Sequence, residues 1–137
     1  MQVIVCVDDN NGMMFNKRRL SKDRVLIKRI IEIAKDKKLL VNSYSYDLFE
    51  GVSNINKDDE FLINAKEDDL CFVENVSVKE YENKIEKIYV FKWNKSYPAD
   101  LYFDIELDNW DFVSSSEFSG NSHEKITEEV YERWTVF

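Results

Sequence analysis

Lys87–Trp93 reads KIYVFKW, with Ile88, Val90 and the flanking aromatics forming a strand-length run at period two. It is followed by NKSYPADLYFDIELDNWDFVSSSEF and then HEKITEEVYERW. Asp100 and Phe103 introduce a second extended run, Trp110 opens a third, and an acidic, aromatic run closes the chain. Successive extended segments of this kind have to find a sheet, because an isolated strand leaves its backbone N–H and C=O groups unpaired.

The upstream half supplies more strands and the helices to cover them. Met1–Val7 is mostly apolar, with a turn signal at Asn11-Gly12. Ser21 is an N-cap candidate for a helix over Lys22–Lys38, where Ile27, Ile30, Ile31 and Ala34 share a face that Leu26 and Ile33 widen. A short strand is predicted at Leu39–Asn42, a helical turn at Tyr46–Glu50 ending on Gly51, and a buried-type strand at Leu70–Val73. Ser77-Val78-Lys79-Glu80 has the form of a capping box, so a second helix is predicted over Ser77–Glu86 with Val78, Tyr81 and Ile85 facing inward. Near the C-terminus, Ile126, Val130 and Trp134 are four apart, a spacing that fits one face of a helix or of a strand.

Composition closes off several classes. At 137 residues the chain is expected to be one domain, and 44% hydrophobic content with 14% aromatics is globular rather than disordered. No run reaches the roughly 18 apolar residues of a membrane span, and MQVIVCVDD lacks a charged leader. Cys6 and Cys71 sit in apolar runs, which suits free thiols in a reducing cytoplasm. The net charge of −8 conceals a basic stretch: Met14–Lys38 carries ten Lys/Arg against three acids. The acidic total argues against nonspecific nucleic-acid binding. The basic stretch is read either as a surface complementary to the acidic body or, through Lys17, Arg18, Arg19, Lys22 and Arg24, as an anion contact.

Most catalytic chemistries lack their residues. His123 is the single histidine, so no His-rich metal site can be assembled, and the HxHxDH cluster of a ribonuclease Z-type hydrolase is absent. Asp8, Asp9 and Asn10 read as turn residues. Cys71 has no adjacent base, Cys6 precedes an acidic pair that disfavours its thiolate, and Ser114–Ser116 lack the strand–turn–helix setting of a nucleophile elbow. No metal and no cofactor are expected.

The order of segments resembles dihydrofolate reductase over nearly the whole chain. VIVCVDDNNGMMFN looks like the first strand and loop of that family, usually AVDxNxGIGxxN, and LSKDRVLIKRI looks like LPxDLxxFKxx. LLVNSYSYDLF resembles IMGRxTWxSI, LCFVENVSVKEY resembles IxVIGGxxIY, and the C-terminal block resembles the family's closing strands. The resemblance implies an α/β domain with a mixed, mostly parallel sheet, a C-terminal antiparallel hairpin and flanking helices. It also favours strand for Thr127–Trp134.

The departures from that pattern bear on activity. Glu74 and Asn75 stand where the family has two glycines beside the cofactor pyrophosphate, and a carboxylate there repels phosphate. Asn42, Ser43 and Ser45 replace the phosphate-gripping arginine and threonine stretch. Only twenty residues separate Phe49 from Leu70, with no arginine among them, so the adenosine-binding region (about 50–70) is expected to be shortened. In LSKD, Asp23 matches the family's pocket carboxylate, although Phe91 replaces its supporting threonine. As a residue, Asp23 is equally a first-turn helix acid. The resemblance places Phe15, Ile27, Val73 and Phe91 at the ligand pocket. Two functions follow. The leading one is a binding module for a small ligand or protein, without an NADPH site and able to self-associate as a homodimer through aromatic surface. The alternative is a pterin or folate enzyme, or pterin binder, using Asp23 as its acid.

Overall fold

The computed structural model describes residues 1–134. Among the described residues there are ten strands: β1 (Gln2–Val7), β2 (Gly12–Phe15), β3 (Arg18–Arg19), β4 (Leu39–Val41), β5 (Ile55–Lys57), β6 (Leu70–Val73), β7 (Lys87–Lys92), β8 (Leu101–Tyr102), β9 (Trp110–Phe118) and β10 (Ile126–Arg133). The helices are α1 (Arg24–Ile33), α2 (Ser43–Tyr46) and α3 (Phe61–Asn64), with short 3-10 turns at Asp47–Phe49, Lys79–Lys84 and Leu107–Asn109.

Seven strands form one sheet in the order β5-β4-β6-β1-β7-β10-β9. All neighbours are parallel as far as β7, and β10 then runs antiparallel to both β7 and β9. The sheet is therefore mixed and mostly parallel, closing in an antiparallel hairpin. Period two sorts the central side chains into two layers. Val3, Val5, Cys71, Val73, Ile88 and Val90 pack with Val78, Ile85, Phe103 and Trp110 on one face. Ile4, Phe72, Tyr89 and Phe91 pack with Leu26, Ile30 and Phe49 on the other. Leu26 and Ile30 are fully buried, each contributing about 1.5–3 kcal/mol by removal from water.

The local expectations need four corrections. The cap of α1 is Asp23, whose side chain accepts the Val25 and Leu26 N–H groups, so Ser21 is left free for another partner. The helix ends at Ile33 rather than Lys38. Asn54 takes the Ala34 and Lys37 carbonyls (2.8 and 2.9 Å), closing the turn that feeds β4. In place of a helix over Ser77–Glu86 there is a 3-10 turn at Lys79–Lys84 without a capping box, because the Ser77 hydroxyl bonds Asp104 instead. The Tyr46–Glu50 turn begins earlier, as α2, and continues as a 3-10 turn up to Phe49. Gly51, at φ 84°, supplies the left-handed backbone just beyond it.

The C-terminal ambiguity resolves to strand. Val130 lies opposite Tyr89 and Thr127 opposite Lys92. Trp134 falls past the end of β10 and is exposed. A register shift between Val130 and Tyr131 leaves Val113 bulged on β9, a common device for blunting an edge strand.

Candidate functional site

In parallel sheets the carboxyl ends of central strands are where ligand crevices form. Here that position lies beyond β1 and β6, under the start of α1 and the β2–β3 hairpin. The cleft is lined by Cys6, Met13, Arg19, Leu20, Ser21, Asp23, Ile27, Leu48, Val73, Glu74 and Trp93, among others. Its volume is about 20 Å³, room for a water molecule, and it adjoins a groove of about 300 Å³ through Lys22, Ile27 and Leu48. Two polar networks build its walls.

The first network centres on Asp23, which is fully buried. Its Oδ1 accepts N–H groups from Val25 (2.9 Å), Leu26 (3.3 Å) and Asn121 (3.1 Å). Its Oδ2 accepts the Ser122 N–H (2.9 Å) and hydroxyl (3.1 Å) and lies 3.1 Å from His123 Nδ1. Burial by itself would raise this carboxyl, but the Ser122 and Asn121 amides, the His123 ring and the Leu26 amide outweigh it and hold it well below the usual carboxylate range. An ionised carboxylate only accepts, so Nδ1 carries the proton and the far nitrogen, Nε2, is the acceptor in the neutral ring. Ser21 Oγ is 3.0 Å from Nε2 and donates to it, and the Tyr97 hydroxyl is 3.4 Å from the same atom. Trp93 stacks on the imidazole at 4.5 Å. Gly120 permits this approach: a Cβ there would collide with the Asp23 carboxylate.

The second network joins the residues that the sequence resemblance matched to cofactor positions. Glu74, nearly buried, receives Arg19 through two bonds (Nε 2.8 Å, Nη2 3.0 Å) and the Ser45 hydroxyl at 2.7 Å. Asn42 caps α2 by accepting the Ser45 N–H, and its amide donates to Asn75 at 2.7 Å. Ser43 places its N–H and its hydroxyl on Asp59 (2.7 and 2.9 Å). Arg19 also stacks over Tyr44 (4.8 Å) and donates its own N–H to that phenol. Donating these hydrogen bonds to the Glu74 carboxylate raises the already high guanidinium pKa. Cys6, beside this pair, has its thiol pushed well up by burial and by the Glu74 charge.

The residues singled out from sequence thus distribute unevenly. Asp23, Ile27 and Val73 line the cleft, as does Glu74. Phe15 does not: it is 47% exposed at the end of β2. Phe91 is completely buried and meets Phe118 edge-on at 6.3 Å, so it belongs to the core rather than to the cleft wall. Asp8 accepts the Asn10, Gly12 and Tyr97 N–H groups, the work of a turn residue. Among the described residues no group of three or more His, Cys, Asp or Glu is placed to hold a metal ion. Part of the basic stretch faces the acidic body, since Arg29 grips the buried Glu128 carboxylate (2.6 and 3.0 Å) as Arg19 grips Glu74.

The topology and the cleft can be set beside known proteins. The chain superposes on a solved structure of dihydrofolate reductase from Enterococcus faecalis, complexed with NADP(H) and RAB-propyl, with a TM-score of 0.70. The alignment covers 98% of this chain and 96% of that one. The fold is that of dihydrofolate reductase. Sequence identity is 13%, so the likeness is one of architecture. No family model matches the chain, and no curated protein matches it. Within this reductase-like fold, sequence reading missed Ser21, Tyr97, Ser122 and His123 as a group. About a hundred residues separate Asp23 from the loop that holds Ser122 and His123, and no local spacing rule reaches across that distance.

Proposed function

We propose that this is a dihydrofolate-reductase-like domain that has lost the NADPH site and serves as a binding module for a small ligand or a protein. The observation that carries this reading is the Glu74 carboxylate, clamped by Arg19 and Ser45 on ground that the family leaves to glycine. A pyrophosphate arriving there would meet a guanidinium already paired with a carboxylate and two filled side-chain volumes. The Asn42–Asn75 bridge spans the same approach. The region of residues 50–70, short and without arginine, sets Lys57 and Lys66 among Asp58, Asp59, Glu60, Glu67, Asp68 and Asp69, a poor setting for an adenosine phosphate.

The pterin reading needs a carboxyl that can turn toward a ligand, and the six donors around Asp23 hold it away from that role. A protein partner is favoured instead by the exposed Phe112 and Val113 on the edge strand β9. The two free thiols suit a reducing cytoplasm. Among the described residues no helix is long and apolar enough to cross a membrane.

The test is an amide-resolved NMR titration with NADPH, dihydrofolate and an antifolate in separate experiments. We expect no saturable shifts at Asn42–Ser45 or Glu74–Asn75 with NADPH at millimolar concentration. Saturable NADPH shifts there would overturn the proposal. Folate shifts confined to the neighbourhood of Asp23 would transfer support to the pterin-binding alternative.

A further inference from the structure

Beyond ligand binding, the Asp23–His123–Ser21 contacts form a relay with the connectivity of a nucleophilic serine. Ser21 Oγ lies 3.0 Å from His123 Nε2, and His123 Nδ1 lies 3.1 Å from Asp23 Oδ2. A nucleophile within hydrogen-bond reach of a base, itself oriented by a third group, is the signature of covalent catalysis by a hydroxyl. We propose that Ser21 is an acyl-accepting nucleophile, activated by His123 and Asp23, and that it acts on small carboxylic esters bearing an anionic substituent.

Three features separate this arrangement from a histidine that merely staples two loops. Asp23 and His123 are buried, while Ser21 is half-exposed on the cleft wall, so the relay points outward from a dry interior. Asp23 stays ionised and fixes the tautomer that leaves Nε2 free to take a proton. Trp93, stacked on the imidazole, restrains the ring plane. Donors for a developing oxyanion are at hand. The N–H of Lys22, the residue after the serine, has no hydrogen-bond partner among the described residues, and the Tyr97 hydroxyl sits beside Nε2.

The substrate class follows from the adjoining surface. A groove of about 300 Å³ shares Lys22, Ile27 and Leu48 with the cleft and is completed by Arg24, Lys28 and Asp47. Its floor is apolar, and its rim carries three cations against the one carboxylate of Asp47. A short acyl chain fits that floor, and a carboxylate or phosphate on the ester fits that rim.

In the proposed reaction Ser21 Oγ bonds to the acyl carbon as its proton passes to His123 Nε2. The ester C–O bond then breaks, and the imidazolium returns the proton to the departing alcohol. Water repeats the sequence in reverse roles, releasing the carboxylic acid and free Ser21. No redox partner is required.

The experiment has two arms on the intact chain. First, the protein is incubated with a fluorophosphonate, and the adduct, formed with loss of fluoride, is mapped by peptide mass spectrometry. We expect one adduct, on Ser21, absent in Ser21→Ala and formed about a hundredfold more slowly in His123→Gln. No adduct in the wild type after prolonged exposure to millimolar reagent would overturn the proposal, as would an adduct on a different serine. An equal rate in a folded His123→Gln variant would overturn it too. The wild-type result decides even if that variant does not fold. Second, hydrolysis of 4-nitrophenyl acetate is compared with that of the anionic 4-nitrophenyl hydrogen succinate. The anionic ester is expected to have the higher kcat/KM, and Lys28→Glu should cut that preference about threefold. Equal rates for the two esters would overturn the assigned substrate class. NADPH binding plays no part in either arm, so failure here and failure of the binding-module reading are separate results.

Discussion

Replacing Asp23 with asparagine changes one atom and a charge, and the structure fixes what that should do. An Asn oxygen in the Oδ1 position keeps the helix cap, since Asn and Asp cap about equally well. The loss falls on the Oδ2 side, where an NH2 group would face the Ser122 N–H at 2.9 Å and the protonated His123 Nδ1 at 3.1 Å. Hydrogen bonds to a charged acceptor are worth about 1.5–3 kcal/mol each, and two are lost. The ring can change tautomer and recover part of one, so we expect Asp23→Asn to cost about 2–4 kcal/mol at pH 7. That is a large share of the roughly 5–15 kcal/mol that holds a domain folded.

The pH dependence carries the sharper test. The folded carboxyl lies below its ordinary value, so its stabilising contribution is complete above the unfolded pKa of about 4 and is lost as pH falls below it. The gap between wild type and Asp23→Asn in urea unfolding, followed by tryptophan fluorescence, should narrow by about 1 kcal/mol between pH 7 and pH 3. A gap under about 1 kcal/mol at pH 7, or one unchanged at pH 3, would refute the reasoning. A carboxyl kept in an apolar pocket as a catalytic acid would behave in the opposite way, with neutralisation stabilising the fold.

Two further outcomes are open to measurement. Arg19→Leu leaves the Glu74 carboxylate nearly buried with Ser45 as its remaining hydrogen-bond donor and should cost about 2 kcal/mol after allowance for the part-exposed guanidinium. Adding Glu74→Leu should recover much of that loss, whereas strict additivity in the double-mutant cycle would show that the pair is not coupled. Burial pushes the Cys71 thiol up to about 12 and raises Cys6 as well, so the native protein at pH 8 should react slowly with a disulfide reagent and release both thiols only in denaturant. A fast stoichiometric reaction of the native state would contradict this.

Much of the architecture was legible in local pattern. Period-two runs such as KIYVFKW and the apolar LCFV, with the Ile27–Ile30–Ala34 face between turn signals, announce strands and a covering helix because side-chain periodicity is set by backbone geometry alone. Sequence order then carried the resemblance to the reductase fold, which the superposition supports over nearly the whole chain. Helix limits were less legible: Ser77 and Glu80 have the letters of a capping box, but the competing partner, Asp104, lies far along the chain. The same holds for Ser21, which the sequence offers as a helix cap and the fold turns toward His123. Phe15 and Phe91 look alike as aromatics, yet one is exposed on a small hairpin and the other sealed beneath the sheet. The sequence by itself determined most of the long strands, the main helix and the presence of Glu74 and Asn75 where the resemblance expects glycines, since these rest on residue type and short-range spacing. The short strands β2, β3 and β5 carried too few residues to declare a period. Only the tertiary structure decided that Asp23 is a saturated carboxylate joined to His123 and Ser21, and that Glu74 is neutralised by Arg19. Hydrogen-bond and ion-pair partners are chosen by proximity in space, and here that proximity is created by sheet pairing between segments up to about a hundred residues apart.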